Sequence, residues 1–109
     1  MKQYFLYFET EVKHLDPLLE RRVLAHTDDM MLVELSAKSG AVIKVHQHIH
    51  KQMTYILEGV FEFNIDDEIK IVKKGDTLYI ESNKVHGALC LEEGKLLDVF
   101  TPARKDFLV

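Results

Sequence analysis

Three histidines stand at alternate positions, His46, His48 and His50, and Gln52 follows two residues on. A fourth, His86, lies about forty residues further along the chain. Imidazole is the commonest metal donor among neutral side chains. Alternate side chains of an extended segment share a face, so the three histidines share one if their strand continues through them. Two donors from one strand and one from a neighbouring strand can chelate a single divalent ion and leave positions open. That is the requirement of a catalytic site rather than a structural one. A lone histidine is more often a satisfied or solvated side chain; His46, His48 and His86 acquire meaning as a set. His50 is read as a supporting residue rather than a ligand, and His14 and His26 receive no role.

Such donors need strands to hold them, and the rest of the sequence supplies strands. Short apolar runs recur every 8–12 residues or so, the rhythm of an all-β sandwich or barrel. The pattern predicts strands over 21–26, 30–37, 41–48, 53–57, 60–65, 68–72, 77–80, 85–91 and 95–100. Between them lie Ser39-Gly40, Glu58-Gly59, Asp66-Asp67, Lys74-Gly75-Asp76, Ser82-Asn83 and Glu93-Gly94, all rich in turn-forming residues. Phe61, Phe63 and Ile65 alternate with Glu62 and Asn64, and Asp66-Asp67 then turns the chain into a hairpin. The one helical candidate is a single turn over 16–20, with Asp16 as cap and Pro17 in the first turn.

Composition narrows the class of function. The chain has 109 residues, 47% hydrophobic and 29% charged, which fits one domain over 1–109 with one core. A net charge of -4 with scattered Lys and Arg argues against nucleic acid, which demands a basic stripe. No apolar run approaches the roughly 20 residues that span a bilayer. Met1 to Thr10 lacks the apolar core and cleavage site of a secretion signal, and Cys90 is alone, so no internal disulfide forms. Cytoplasmic localisation is the expectation. Cys90 itself reads as a small buried hydrophobe.

Two spacings carry a family resemblance. Gly40-x5-His46-x-His48-x3-Gln52-x6-Gly59 resembles the first cupin motif, with Gln52 where the family usually has Glu. Gly75-x5-Glu81-x-Asn83-x2-His86 resembles the second, ending at Cys90. There Glu81 replaces the usual Pro, Asn83 the usual Gly and Cys90 the usual closing Asn. The resemblance, over 40–59 and 75–90, implies a double-stranded jelly-roll barrel holding one divalent metal ion through His46, His48, Gln52 and His86. It also implies a homodimer, made by packing one sheet or by swapping an N-terminal strand. The apolar segment 4–8 suits that exchange and suits equally the closing of the chain's own barrel.

Gln52 changes the charge of such a site. Its amide donates a neutral oxygen, so three histidines and Gln52 leave a divalent ion its full +2 charge. That favours anionic ligands and Lewis-acid chemistry. Imidazole-rich ligation suits Zn, Ni, Fe or Cu, with Mn also admitted.

A narrower resemblance lies in the tail. Val85-His86-Gly87 and the run from Cys90 through Asp98, Phe100, Pro102, Arg104 and Asp106 to Leu108 are similar to the pectin-degradation cupins of the KdgF type, as is Gln52 itself. That resemblance implies an enzyme that linearises 4,5-unsaturated uronate monosaccharides from pectin or alginate to 4-deoxy-5-keto-uronates. Opening such a ring requires a proton delivered to C4, water attack near C5, and an acid–base residue. Asp98 is the candidate, because it interrupts the apolar run Leu96–Phe100, where an acid is costly unless paired or functional. Arg104 is the candidate grip for the substrate carboxylate and Phe100 for the sugar ring. The structural alternatives are Asp98 as partner of Arg104 or Lys95, Arg104 as a surface residue, and Phe100 as core.

Two other functions fit a small cupin. A metal-dependent dioxygenase would want a redox iron and usually an anionic ligand, which Gln52 is not. A sugar-sensing module would bind without turnover and act through a partner protein, since no helix-turn-helix is present in the sequence.

Overall fold

A computed structural model describes residues 2–109. Among the described residues, eight strands form one antiparallel sheet that curls on itself: β1 (Val12–Asp16), β2 (Leu19–His26), β3 (Met31–Ala37), β4 (Val42–His46), β5 (Lys51–Ile65), β6 (Glu68–Lys73), β7 (Thr77–Ile80) and β8 (His86–Thr101). The order is β1-β2-β3-β8-β5-β6, with β4 added beside β8 and β7 beside β5. Two short 3-10 turns, Tyr7–Glu9 and Lys105–Leu108, flank the barrel. No helix among the described residues is long and apolar enough to cross a membrane. The all-β jelly-roll expectation holds.

The long strands β5 and β8 hold the barrel together, pairing from Lys51↔Thr101 to Ile65↔His86. The first half of β5 and the second half of β8 lie with β3 and β7 in one wall; their other halves lie with β4 and β6 in the second. Leu35, Ile56 and Leu96 of the first wall share one apolar cluster with Phe61, Phe63, Ala88 and Cys90 of the second.

The turns expected at Glu58-Gly59 and Glu93-Gly94 are absent; both glycines sit at mid-strand irregularities where β5 and β8 bend together. Gly59 has φ +85, and a Cβ on it would lie 2.6 Å from both the Gly94 Cα and the Glu93 carbonyl oxygen. These glycines permit backbone contact between walls rather than chain reversal. The expected helical turn over 16–20 is also absent. Asp16 Oδ1 instead accepts the Leu18 N–H at 2.7 Å, an Asx turn closing the β1–β2 hairpin at Pro17-Leu18. Asp66 (φ 51) and Asp67 (φ 69) form the expected hairpin turn. Asn83, where the family has Gly, takes φ 63, which Asn tolerates better than other side chains.

Residues 4–8 form no strand. The Tyr7 hydroxyl donates to Glu34 Oε1 at 2.6 Å, the Arg22 guanidinium lies over the Tyr7 ring, and Tyr4 and Phe8 are exposed. The segment thus lies along the outside of its own β2 and β3 and adds nothing to the barrel wall.

Strand register places the inward side chains in three rows. Arg21, Leu35, Leu96 and Ile56 form one, Val23, Val33, Asp98 and Thr54 the next, and Met31, Phe100, Gln52 and Ile80 the third. Leu35, Leu96 and Ile56 of the first row join the apolar filling; Arg21 and the other two rows carry polar groups into the barrel.

Candidate metal centre

Strand register also creates the histidine cluster. His46 ends β4 directly opposite His86, which begins β8, and their ring centroids lie 4.3 Å apart. The chain leaves β4 at His46, so His48 is set by the following loop, its ring centroid 4.9 Å from that of His86. One ring nitrogen from each of His46, His48 and His86 lies within 4.8 Å of the others. The expectation that His50 shares their face fails because the strand does not continue. His50 turns aside, its ring edge-on to His48 and Phe100.

The protonation pattern of the cluster follows from its neighbours. Nδ1 of His46 lies 2.7 Å from the Lys44 carbonyl, Nδ1 of His48 3.1 Å from that of His50, and Nδ1 of His86 2.8 Å from that of Lys84. A carbonyl only accepts, so each Nδ1 donates and each Nε2 keeps a lone pair turned to the cluster. Burial, with Arg104 and His86 nearby, lowers the His48 pKa to about 4; burial also lowers that of His86. Both rings are therefore neutral donors at pH 7. His86 is 3% exposed, and its Nε2 has no hydrogen-bond partner among the described residues. A buried lone pair without a partner is costly, and a cation removes the cost.

Gln52 completes the cluster. Its Nε2 donates to Thr54 Oγ1 and to Asp98 Oδ1, each at 3.0 Å. That fixes the amide with its oxygen toward the histidines, Oε1 lying 3.2 Å from His48 Nε2. Two acceptors face each other there, which a positive ion would relieve. The three histidines can thus hold a metal ion, and Gln52 Oε1 is aimed where a fourth donor is needed.

Asp98 stands behind this cluster, 4% exposed. The Thr54 hydroxyl donates to Oδ1 at 2.5 Å, so both side-chain bonds fall on Oδ1 and leave Oδ2 free among the described residues. Burial raises the Asp98 pKa to about 6 against the opposing pull of Thr54, Gln52 and Arg104. Its partners are Thr54 and Gln52, and neither Arg104 nor Lys95 is hydrogen-bonded to it. Phe100, 3% exposed, sets its ring edge toward His48 at 5.6 Å between centroids.

A cavity of about 220 Å³ brings these groups together, with His46, His86, Gln52, Asp98, Phe100 and Arg104 in its walls. Its other walls are mainly aliphatic and aromatic, including Val33, Leu35, Phe63 and Leu96. Arg104, only 12% exposed, turns one edge of its guanidinium to Asp106 (Nε to Oδ1 3.1 Å, Nη2 to Oδ2 2.9 Å) and lies over the Phe107 ring at 4.2 Å. Arg104 is thus neither on the surface nor wholly free.

Sequence reasoning missed Thr54, Arg21 and Phe107. A usable signal existed for the first two, since Gln52-x-Thr54 and Leu19-x-Arg21-x-Val23 carry polar groups at inward positions of period 2. Phe107 gave none, because its position depends on how the tail folds back.

Comparison with known proteins agrees with this geometry. The cupin domain family matches residues 31–100. The pectin degradation protein KdgF of Dickeya dadantii (strain 3937) is 39% identical over 110 residues, covering 99% of this chain and all of that protein. An RmlC-like cupin from Shewanella frigidimarina NCIMB 400 superposes with a TM-score of 0.93 at 34% identity, covering 98% of this chain and 96% of its own. KdgF from Halomonas sp. does so with a TM-score of 0.91 at 32% identity, covering 98% and 99%.

Proposed function

This chain belongs to the cupin family and within it to the KdgF type, and we propose that it linearises 4,5-unsaturated uronate monosaccharides from pectin or alginate breakdown. The observation that carries this is the Gln52 amide, which joins a histidine cluster able to hold a metal to a buried acid poised near neutrality. An ion held by His46, His48, His86 and Gln52, whether Zn, Ni, Fe or Mn, would supply Lewis-acid polarisation of substrate oxygens at full +2 charge.

The side chains supply the rest. The sugar enters the apolar cavity with one face against Phe100. Arg104 presents the guanidinium edge that Asp106 leaves free to substrate oxygens. Asp98 carries a proton on Oδ2 and delivers it to C4 of the enol ether. Thr54 and Gln52 hold the carboxyl still and stabilise the carboxylate left behind. Water adds at C5 and loses its proton to Asp98; the hemiketal then opens to the linear 4-deoxy-5-keto-uronate. Residues 1–109 act as one domain in this scheme. We place the protein in the cytoplasm; an exposed apolar strip of Met53, Tyr55 and Tyr79 on β5 and β7 supports a homodimer, which light scattering tests.

The substrate's C4–C5 double bond is conjugated to its carboxylate, so ring opening erases an ultraviolet chromophore. Purified protein accelerates that loss over the spontaneous rate, and a chelator abolishes the acceleration. Metal-loaded protein that accelerates the loss of neither pectin- nor alginate-derived sugars would falsify the proposal.

A further inference from the structure

Arg21 places a charged side chain at an inward position of its strand, where burial is costly without a partner. It lies on β2 between Leu19 and Val23, on the inward side, in the row it shares with Leu35, Leu96 and Ile56. Its side chain lines the same cavity as His46, Gln52 and Asp98 and reaches the Phe107 ring, 3.7 Å from the centroid. Among the described residues it makes no hydrogen bond and no ion pair. The contrast with Arg104 is direct: both guanidinium groups lie against Phe107, but only Arg104 has a carboxylate.

Two guanidinium groups therefore share a largely apolar chamber whose one acidic wall residue, Asp98, is hydrogen-bonded to Thr54 and Gln52, while Asp106, outside those walls, is committed to Arg104. Burial and the charge of Arg104 lower the Arg21 pKa, while Asp106 opposes them. An unpaired guanidinium in such walls is costly, and a carboxylate entering the chamber repays that cost through two parallel N–H···O bonds. Stacking on Phe107 fixes the plane of the fork in advance, so little side-chain freedom is lost on binding.

We propose that Arg21 is the carboxylate-recognition residue of the cavity, holding the uronate's acid group while the histidine cluster and Asp98 face the ring. The assignment rests on the uronate reading of the site. It makes Arg21 a substrate-binding residue that selects uronates over neutral sugars, and it leaves the free edge of Arg104 to the remaining substrate oxygens.

The test compares wild type with Arg21→Gln and Arg21→Lys, each metal-loaded and checked for unchanged metal content and melting. On the unsaturated uronate, Arg21→Gln raises KM about 10- to 100-fold, the loss typical of a charge-assisted hydrogen-bonded contact, with kcat within a few-fold of wild type. Arg21→Lys, which keeps the charge but not the fork, falls between. Calorimetry with galacturonate and with galactose gives the second readout. Wild type prefers the acid and Arg21→Gln loses the preference, which a merely structural role for Arg21 would not produce. A folded Arg21→Gln with unchanged KM overturns the assignment and leaves the proposed reaction standing. A wild type that turns over no unsaturated uronate, yet binds galacturonate over galactose through Arg21, overturns the reaction and keeps the subsite. A wild type with no preference for galacturonate overturns the assignment outright.

Discussion

At one end of the barrel Ile56, Phe61 and Leu96 are buried against one another, with Leu35 and Cys90 filling the space between the walls. Two residues along the same strands, β5 and β8, the inward positions become Thr54 and Asp98, and two further on Gln52 and Phe100. The first end is satisfied by its own packing, because its inward side chains are apolar and contact is all an aliphatic group needs. The second end is incomplete. Its hydrogen bonds run from Gln52 to Thr54 and Asp98 and then stop, leaving the His86 Nε2 without a partner among the described residues. One strand pair thus makes a plug and a site, and what distinguishes them is whether the chain satisfies its own inward groups.

The sharpest way to break that contrast is to remove a ligand. His86→Ala leaves two histidines in the cluster, so metal analysis returns less than one ion per chain and chromophore loss falls to the spontaneous rate. Asp98→Asn separates the acid from the metal: the ion stays, while kcat drops about 10²- to 10⁴-fold, the usual worth of a positioned acid–base group. Both measurements on one preparation distinguish the two roles.

Phe61→Ala attacks the plug instead. Denaturant titration shows a loss of about 3–5 kcal/mol, as for other buried aromatics cut to Ala. Specific activity per bound metal, assayed where the variant remains folded, stays within a few-fold of wild type. A collapse of activity in the folded variant would mean that the two ends are mechanically one unit.

The smallest effect concerns pH in the metal-free protein. Asp98 titrates near 6 in the folded chain against an ordinary 3.8, so its contribution to stability is fully present below pH 4 and is lost as pH rises through 6. That difference is worth about 3 kcal/mol. His48, lowered to about 4 from 6.5, acts in the opposite sense: its contribution is present above 6.5 and is lost as pH falls through 4. The two slopes oppose each other between pH 4 and 6. Asp98→Asn removes one of them, and its melting temperature falls more steeply on acidification from pH 6.5 to 4 than that of wild type. Parallel curves would show that Asp98 is not held near 6.

Much of this architecture is legible in the order of the residues. The all-β class follows from alternation and turn spacing, and His46, His48 and His86 are recoverable as a set. Asp98 is visible as an acid inside an apolar run, and Phe100 as its inward neighbour by alternation. Arg21 carries the same signal between Leu19 and Val23, but Arg22 beside it hides that signal, because adjacent charges look like a surface run until the facing of the strand is known. The Gly59 and Gly94 positions mislead for a related reason. A glycine marks an unusual backbone need, and sequence does not say whether that need is a turn or the close approach of another segment.

Residue types and their spacing dictate which side chains can donate to a metal, which face of each strand is apolar, and where a charge breaks the pattern. These are local properties, fixed by side-chain chemistry and the period-2 geometry of extended chain. Three outcomes had to wait for the assembled barrel: β4 stops at His46 and drops His50 from the cluster, Asp98 and Thr54 turn the Gln52 amide, and Asp106 claims Arg104 while Arg21 is left free. Each depends on partners or chain paths that no short stretch contains, and a hydrogen bond between distant residues is settled only when the strands that carry them have found their register.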